Sequence, residues 1–345
     1  MKRPSLPLMK SLLISFFLAA ATLCPLRAAD TLDFYVIDTE GGKAVIVVPP
    51  GGETMLVDAG YPTPDNRDTN RIVAAGQALG ITRFDYMVAT HYDMDHAGNI
   101  PSVDAKIPGR TFVDHGAILP TANAQNKREF YEPYLKAIGG RPRLIVHPGD
   151  TIPLKGVRIT VVSAGGEVLA QPLPGAGQHN EFAGNAKPEP LDIYDNAASV
   201  GLLYEFGKFR LLDLADLLQR VEYKLMVPDN RVGTVDVFMV SHHGFKVSNS
   251  RLLVHALRPK VAIMNNGPRK GGEPQVFDVL QGSPGFQDLW QLHFSPAAGR
   301  KNAPVDFIAN PGAACEAKLI KVSACRDGSF TVTNTRNNFS KTYQP

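Results

Sequence analysis

No block of like charge and no internal repeat runs through this chain. Its one sustained apolar run, Leu12 to Leu23, falls short of the roughly 20 residues that a membrane-spanning helix needs. A polyelectrolyte tail, a solenoid and a stable membrane insertion are thereby set aside. Net charge is lacking too. The formal +3 rests on Lys2, Arg3, Lys10 and Arg27, which all precede the first acidic residue, Asp30. Without those four, 32 basic residues face 33 acidic ones, so bulk charge gives no argument for a dedicated nucleic-acid binder. Cysteine is scarce, with three in 345 residues.

What is present first is a leader. Lys2, Arg3 and Lys10 make a basic start, the apolar run follows, and Arg27-Ala28-Ala29 offers a small-residue cleavage site. Residues 1–29 therefore read as a cleaved signal peptide and 30–345 as a single secreted or periplasmic domain. Cys24 leaves with the leader. Cys315 and Cys325 remain as an even pair, for which an oxidising compartment predicts a disulfide.

The remainder, in a chain 44% hydrophobic, has globular composition. LDFYVID, KAVIVVP and TMLVDAG are β-branched runs separated by the turn chemistry of EGG and PPGGE. Asp38 and Asp58 fall at strand ends, where a turn hydrogen bond is the simpler role for Asp38. NRIVAAGQAL has helical spacing and stops at Gly80, and FDYMVAT follows as a strand. RTFVDHG is a further strand ending in Asp114-His115. Residues 165–190, rich in Gly and Pro, form a long loop without period. VGLLYEF and KFRLLDL predict a hairpin about Gly207-Lys208, with Asp216 just beyond it, and DVFMV delivers Ser241-His242-His243-Gly244. The tail predicts a hairpin turning at Arg326-Asp327-Gly328.

The densest chemistry is Thr90 to Asn99, THYDMDHAGN, at the end of the strand FDYMVAT. His91, Asp93, Asp95 and His96 are four oxygen and nitrogen donors in six residues, which suits zinc or a similar divalent ion. Adjacent histidines before a glycine at a strand end, as at His242-His243, suit metal or substrate better than packing. MNNGPRKGG places Asn266, Arg269 and Lys270 on a glycine-rich loop as a candidate grip for phosphate or carboxylate.

These motifs, in this order, resemble the metallo-β-lactamase superfamily. THYDMDHAGN is similar to its HxHxDH signature in the HxDxDH variant of the ComEC competence proteins' hydrolase domain. LLDLAD resembles the strand that supplies the bridging aspartate, and SHHGFKVSNS the ComEC-type HHGS segment. FYVIDTEGGKAVIVVPPGGETMLVDAG and RPKVAIMNNG complete a resemblance that covers roughly Leu32 to Gly267. It implies an α/β fold, the αββα sandwich, with two divalent metal ions, zinc first and Mn or Fe as alternatives, since Asp93 stands where a histidine is usual.

The resemblance also implies ligands from His91, Asp93, Asp95, His96, Asp216 and one of His242 and His243, with His242 assigned to metal and His243 to catalysis beside Asp95; His115 joins the catalytic candidates from its place at a strand end before a glycine. The usual third histidine of the first metal is missing. Asp195 is the expected substitute, with Asn196 beside it and His179 as a more distant stand-in. The implied activity is metal-dependent hydrolysis by a metal-bound hydroxide, on a phosphoester or phosphodiester. The substrate is a small molecule or an oligomer, with nucleic acid as substrate only. Alternatives are β-lactam, lactone or ester hydrolysis, and a catalytically weak protein that binds metal or an envelope ligand.

Overall fold

The computed structural model describes residue 1 and residues 30–120, 124–187, 195–312 and 314–345. The expected leader, residues 2–29, lies outside the described residues, as does Cys24. Two nine-stranded sheets stack face to face. In the first, Leu32–Val36, Val45–Val48, Met55–Val57, Phe84–Val88, Gly109–Asp114 and Arg143–Ile145 lie side by side, extended at the other edge by Ile320–Ala324, Phe330–Asn334 and Phe339–Tyr343. The second runs from Thr151–Ile152 through Arg158–Ala164, Gly201–Phe206, Phe209–Asp213, Val237–Met239, Val261–Met264 and Asp288–His293 to Ile308–Asn310.

Strand alternation explains the layering. Leu202, Tyr204 and Phe206 point between the sheets and meet Phe34, Val36 and Trp290, while Leu203 between them points outward. On that outer face the helices Gln219–Met226, Arg251–Leu257 and Pro274–Gln281 bury Val221, Leu225, Leu253 and Phe277 against Leu203, Leu212 and Phe238. The first sheet's outer face takes Arg67–Ala78, Ile100–Asp104 and Ala124–Ile138, with Ile72, Ile100 and Tyr134 packed on Ile46, Leu56 and Phe112. Three apolar layers separate four structural ones, which is the αββα sandwich. Among the described residues no helix is long and apolar enough to cross a membrane.

The predicted hairpin closes with Phe206 opposite Phe209, and the tail hairpin with Ala324 opposite Phe330. The tail is no appendage: Ile320–Ala324 pairs along Leu32–Val36 and completes the first sheet. Within residues 165–190, the expected periodless loop, Glu167–Val168 and Gln178–His179 form short strands. The expected Cys315–Cys325 bridge is not made, and Cys315 is a free thiol. The cysteines flank the strand Ile320–Ala324, whose five residues span about 17 Å at the usual rise, whereas a disulfide needs Cα atoms within about 7 Å.

Candidate metal centre

Parallel strands collect their carboxyl ends on one edge, and the donors sit there. Phe84–Val88 runs parallel to Met55–Val57 and Gly109–Asp114 in the first sheet, and Val237–Met239 runs parallel to Phe209–Asp213 and Val261–Met264 in the second. Residues just past these ends are Asp58, His91 to His96, His115, Asp216, and His242 with His243. Asp58, Ala215, His242 and His243 all hold left-handed backbone, with φ of 59, 50, 51 and 54°. Four non-glycine residues in that region at one edge mark a backbone held against its local preference, a pattern common at functional sites.

Asp95, His96, Asp216 and His243 are buried, and one donor atom from each lies within 4.8 Å of the others. Nε2 of His243 is 3.0 Å from Asp95 Oδ2 and 3.3 Å from Asp216 Oδ2, and Nε2 of His96 is 3.2 Å from that same Asp216 oxygen. The other ring nitrogens are held from behind. His96 Nδ1 meets Asp58 Oδ2 at 2.9 Å, and His243 Nδ1 meets the Asn265 carbonyl at 3.2 Å. Such backing aims Nε2 inward, as metal-ligating histidines require. Thr90 fixes Asp58 in turn, donating to it from its backbone N–H at 2.9 Å and from its hydroxyl at 2.8 Å.

The electrostatics follow from this crowding. Burial opposes the charged form of His96, but Asp216, Asp58 and Asp95 outweigh it and hold the imidazole well above its usual range. Burial likewise opposes Asp216 and Asp95, and the surrounding histidines hold both carboxyls well below theirs. His91 goes the other way, pushed down to about 4 by burial and by His96.

Five buried imidazole and carboxylate atoms along this edge have no hydrogen-bond partner among the described residues: His91 Nε2, Asp216 Oδ1, Asp195 Oδ1 and both ring nitrogens of His115. Each would ordinarily cost about 1–3 kcal/mol. Asp216 therefore presents one oxygen to His96 and His243 and leaves the other unclaimed. Orphaned imidazole and carboxylate atoms beside a ready four-donor cluster are a donor set that fits two divalent cations.

The geometry gives His243 to the four-donor cluster and leaves His242 on its rim, with Nε2 3.6 Å from Asp216 Oδ2 and 3.4 Å from Asn196 Nδ2. Asp93 Oδ2 stands 3.9 Å from His91 Nε2. Asp195 is buried, accepts the Tyr92 backbone N–H at 3.0 Å and lies 3.5 Å from His115 Nε2. Burial opposes its charge, but His115 and Tyr92 bring its carboxyl down to about 2. His179 is no stand-in ligand, because its exposed side chain sits beside Asp229 on a short strand pair.

Asn266 is not a substrate grip. Its amide is spent on the backbone of His293, donating to the carbonyl at 2.8 Å and accepting the N–H at 3.3 Å, and the residue is fully buried. Arg269 is exposed on the loop. Lys270 reaches the cluster itself, bonding Asp95 Oδ2 and the Tyr61 hydroxyl. Residues to which the sequence reading gave no role are Lys43 and Thr90. Lys43 carried no motif signal, since one lysine in a strand-like run is ordinary until its partners are known.

Several solved structures are similar to parts of this chain. A protein from Parabacteroides distasonis assigned provisionally as a metal-dependent hydrolase is 16% identical, covers 75% of this chain and 92% of its own, and superposes with a TM-score of 0.41. CmlA, a diiron β-hydroxylase from Streptomyces venezuelae, is 19% identical over 68% of this chain and 44% of its own, with a TM-score of 0.38. A metallo-β-lactamase from Cronobacter sakazakii with a HARLDQ motif is 19% identical over 60% and 73%, at 0.36. No curated protein matches the sequence. The family model of the metallo-beta-lactamase superfamily matches residues 38–185, the segment that carries His91, Asp93, Asp95, His96 and His115, and the fold around it is the metallo-β-lactamase-like αββα sandwich.

Proposed function

We propose that this chain is a secreted or periplasmic metal-dependent hydrolase of phosphoesters or phosphodiesters, of the ComEC-like kind. The observation that carries it is the convergence of Asp95, His96, Asp216 and His243 from both sheets into one buried donor cluster. Asp95, His96 and His243 would hold one divalent cation and His91, Asp93 and Asp195 the other, with Asp216 shared through its two oxygens. Zinc suits the three imidazoles of the set, and its four carboxylates, Asp93 among them, widen the choice to Mn or Fe. Two such cations supply Lewis acidity toward a phosphoryl oxygen and lower the pKa of water.

The chain's own groups do the rest. Burial opposes the Lys270 ammonium, yet Asp95, Tyr61 and Asp216 raise its pKa well above the usual lysine range, so it stays cationic at the rim. There it attracts and orients an anionic substrate, with Arg269 on the same loop. His242 is lowered by burial, so its Nε2 is an uncharged proton acceptor at neutral pH, partly open to the entering substrate.

Hydrolysis of bis(p-nitrophenyl) phosphate and of a chromogenic cephalosporin, each with added zinc or manganese, tests the reading. Turnover of the phosphodiester and not the cephalosporin is expected. A protein that binds less than one metal and cleaves neither overturns it.

A further inference from the structure

A second cluster of metal-ligating groups lies at the carboxyl ends of Leu32–Val36 and Asp288–His293, and it shares no residue with the centre described above. Asp38, His293 and Cys315 offer a carboxylate, an imidazole and a thiol whose donor atoms all lie within 4.8 Å of one another. We propose that Asp38, His293 and Cys315 form a separate site for one zinc-class divalent cation.

The donor spacing resembles that of the principal cluster. His293 Nε2 is 2.7 Å from Asp38 Oδ1, and Cys315 Sγ is 2.7 Å from Asp38 Oδ2. Two of the donors are anchored from behind. His293 is pinned by Asn266 at both its N–H and its carbonyl. Asp38 accepts the Glu40 N–H at 2.9 Å, and its carbonyl accepts Arg71 Nη1 at 3.1 Å. Asp38 and His293 are buried and Cys315 is half-buried, so the thiol side is the way in. Three protein ligands from a soft, a borderline and a hard class, with a fourth position left to water, is a zinc arrangement, and the thiolate selects against Mg and Mn.

Arg71 is the group to account for, because Nη1 lies 3.0 Å from Asp38 Oδ2 and Nη2 lies 3.5 Å from Cys315 Sγ. It also holds Glu40 Oε1 at 2.8 Å. When Asp38 turns to the cation, Arg71 keeps Glu40 as its counter-charge and stands beside the thiolate that forms. Burial and Asp38 push the Cys315 thiol up to about 12, so the metal-free group is S–H. Binding forms a metal–sulfur bond, breaks the S–H bond and delivers the proton to solvent, while the Nε2 proton that His293 gives to Asp38 is released and Nδ1 takes one up from solvent, which frees the Nε2 lone pair for the cation. No electron changes hands.

The test is a cobalt(II) titration of the full chain kept reduced, read by sulfur-to-cobalt charge-transfer absorption in the near ultraviolet, since the principal centre contains no sulfur donor. The expected result is a band that survives Asp216→Asn and is lost in Cys315→Ser and in His293→Gln. Serine keeps a donor to Asp38, and the far-ultraviolet spectrum confirms that the fold is intact. No band in the wild-type chain, or a band that persists in Cys315→Ser, overturns the proposal. Visible cobalt bands from the principal centre without the sulfur band sink this site alone, whereas the sulfur band without them sinks the hydrolase reading alone.

Discussion

Lys43 Nζ lies 2.6 Å from Asp213 Oδ1, both side chains almost wholly buried, and this pair fastens the first sheet to the second beneath the metal centre. The same ammonium is 3.8 Å from Asp58 Oδ2, and Asp58 backs His96. Asp213 Oδ1 also accepts the Ala215 N–H at 3.0 Å, setting the left-handed turn that presents Asp216. The backbone N–H of Lys43 donates to the Asp95 carbonyl at 3.0 Å. Burial opposes the charge, but Asp213 and Asp58 raise the lysine above its usual range.

Removing one partner of such a pair leaves a buried charge uncompensated. Lys43→Met is expected to destabilise the protein by about 3–5 kcal/mol, read as a lowered urea midpoint. Adding Asp213→Asn should recover part of the loss. Strict additivity of the two changes would contradict the coupling.

Glu222, which is not one of the donors, gives stability a pH dependence of its own. Its carboxylate accepts the backbone N–H groups of Asn249 at 2.6 Å and Ser250 at 2.9 Å, at the start of Arg251–Leu257. Complete burial outweighs these bonds and raises the carboxyl to about 7. The folded state then holds a proton that the unfolded state has released. The contribution is fully present below about pH 4.5 and is lost as pH rises through about 7. Urea midpoints should fall more steeply between pH 5 and 8, a range of about three units, in the wild-type chain than in Glu222→Gln. Equal slopes would count against it.

His115 packs against Tyr92, with ring centroids 4.6 Å apart and the planes tilted by 45°, and faces Asp195. His115→Ala should lower phosphodiester turnover about 10–100-fold, the usual loss when a group behind a ligand is removed, while the second cation is retained. Unchanged turnover would place His115 outside the pocket.

Much of the fold was legible because strands and turns carry local signals. The Phe206–Phe209 hairpin and the Gly80 stop were readable from a few adjacent residues. His91 to His96 stood out for the same reason, as four donors in six residues. Contacts between distant segments were not readable. Nothing adjacent to Asp38 signals His293 or Cys315, which lie 255 and 277 residues away. The disulfide expectation failed on that point, since counting cysteines says nothing about which side of a strand each occupies. Likewise His242 and His243 are equivalent as letters, and only the left-handed turn at their backbone separates the cluster member from the rim.

Metal content tests the central claim most directly. In a Cys315→Ser background, which silences the second cluster, the protein should bind two divalent cations. Asp95→Ala and Asp216→Ala should each lose metal and activity with the far-ultraviolet spectrum unchanged. Unaltered stoichiometry in both variants would contradict the assignment of these buried carboxylates as the heart of the site.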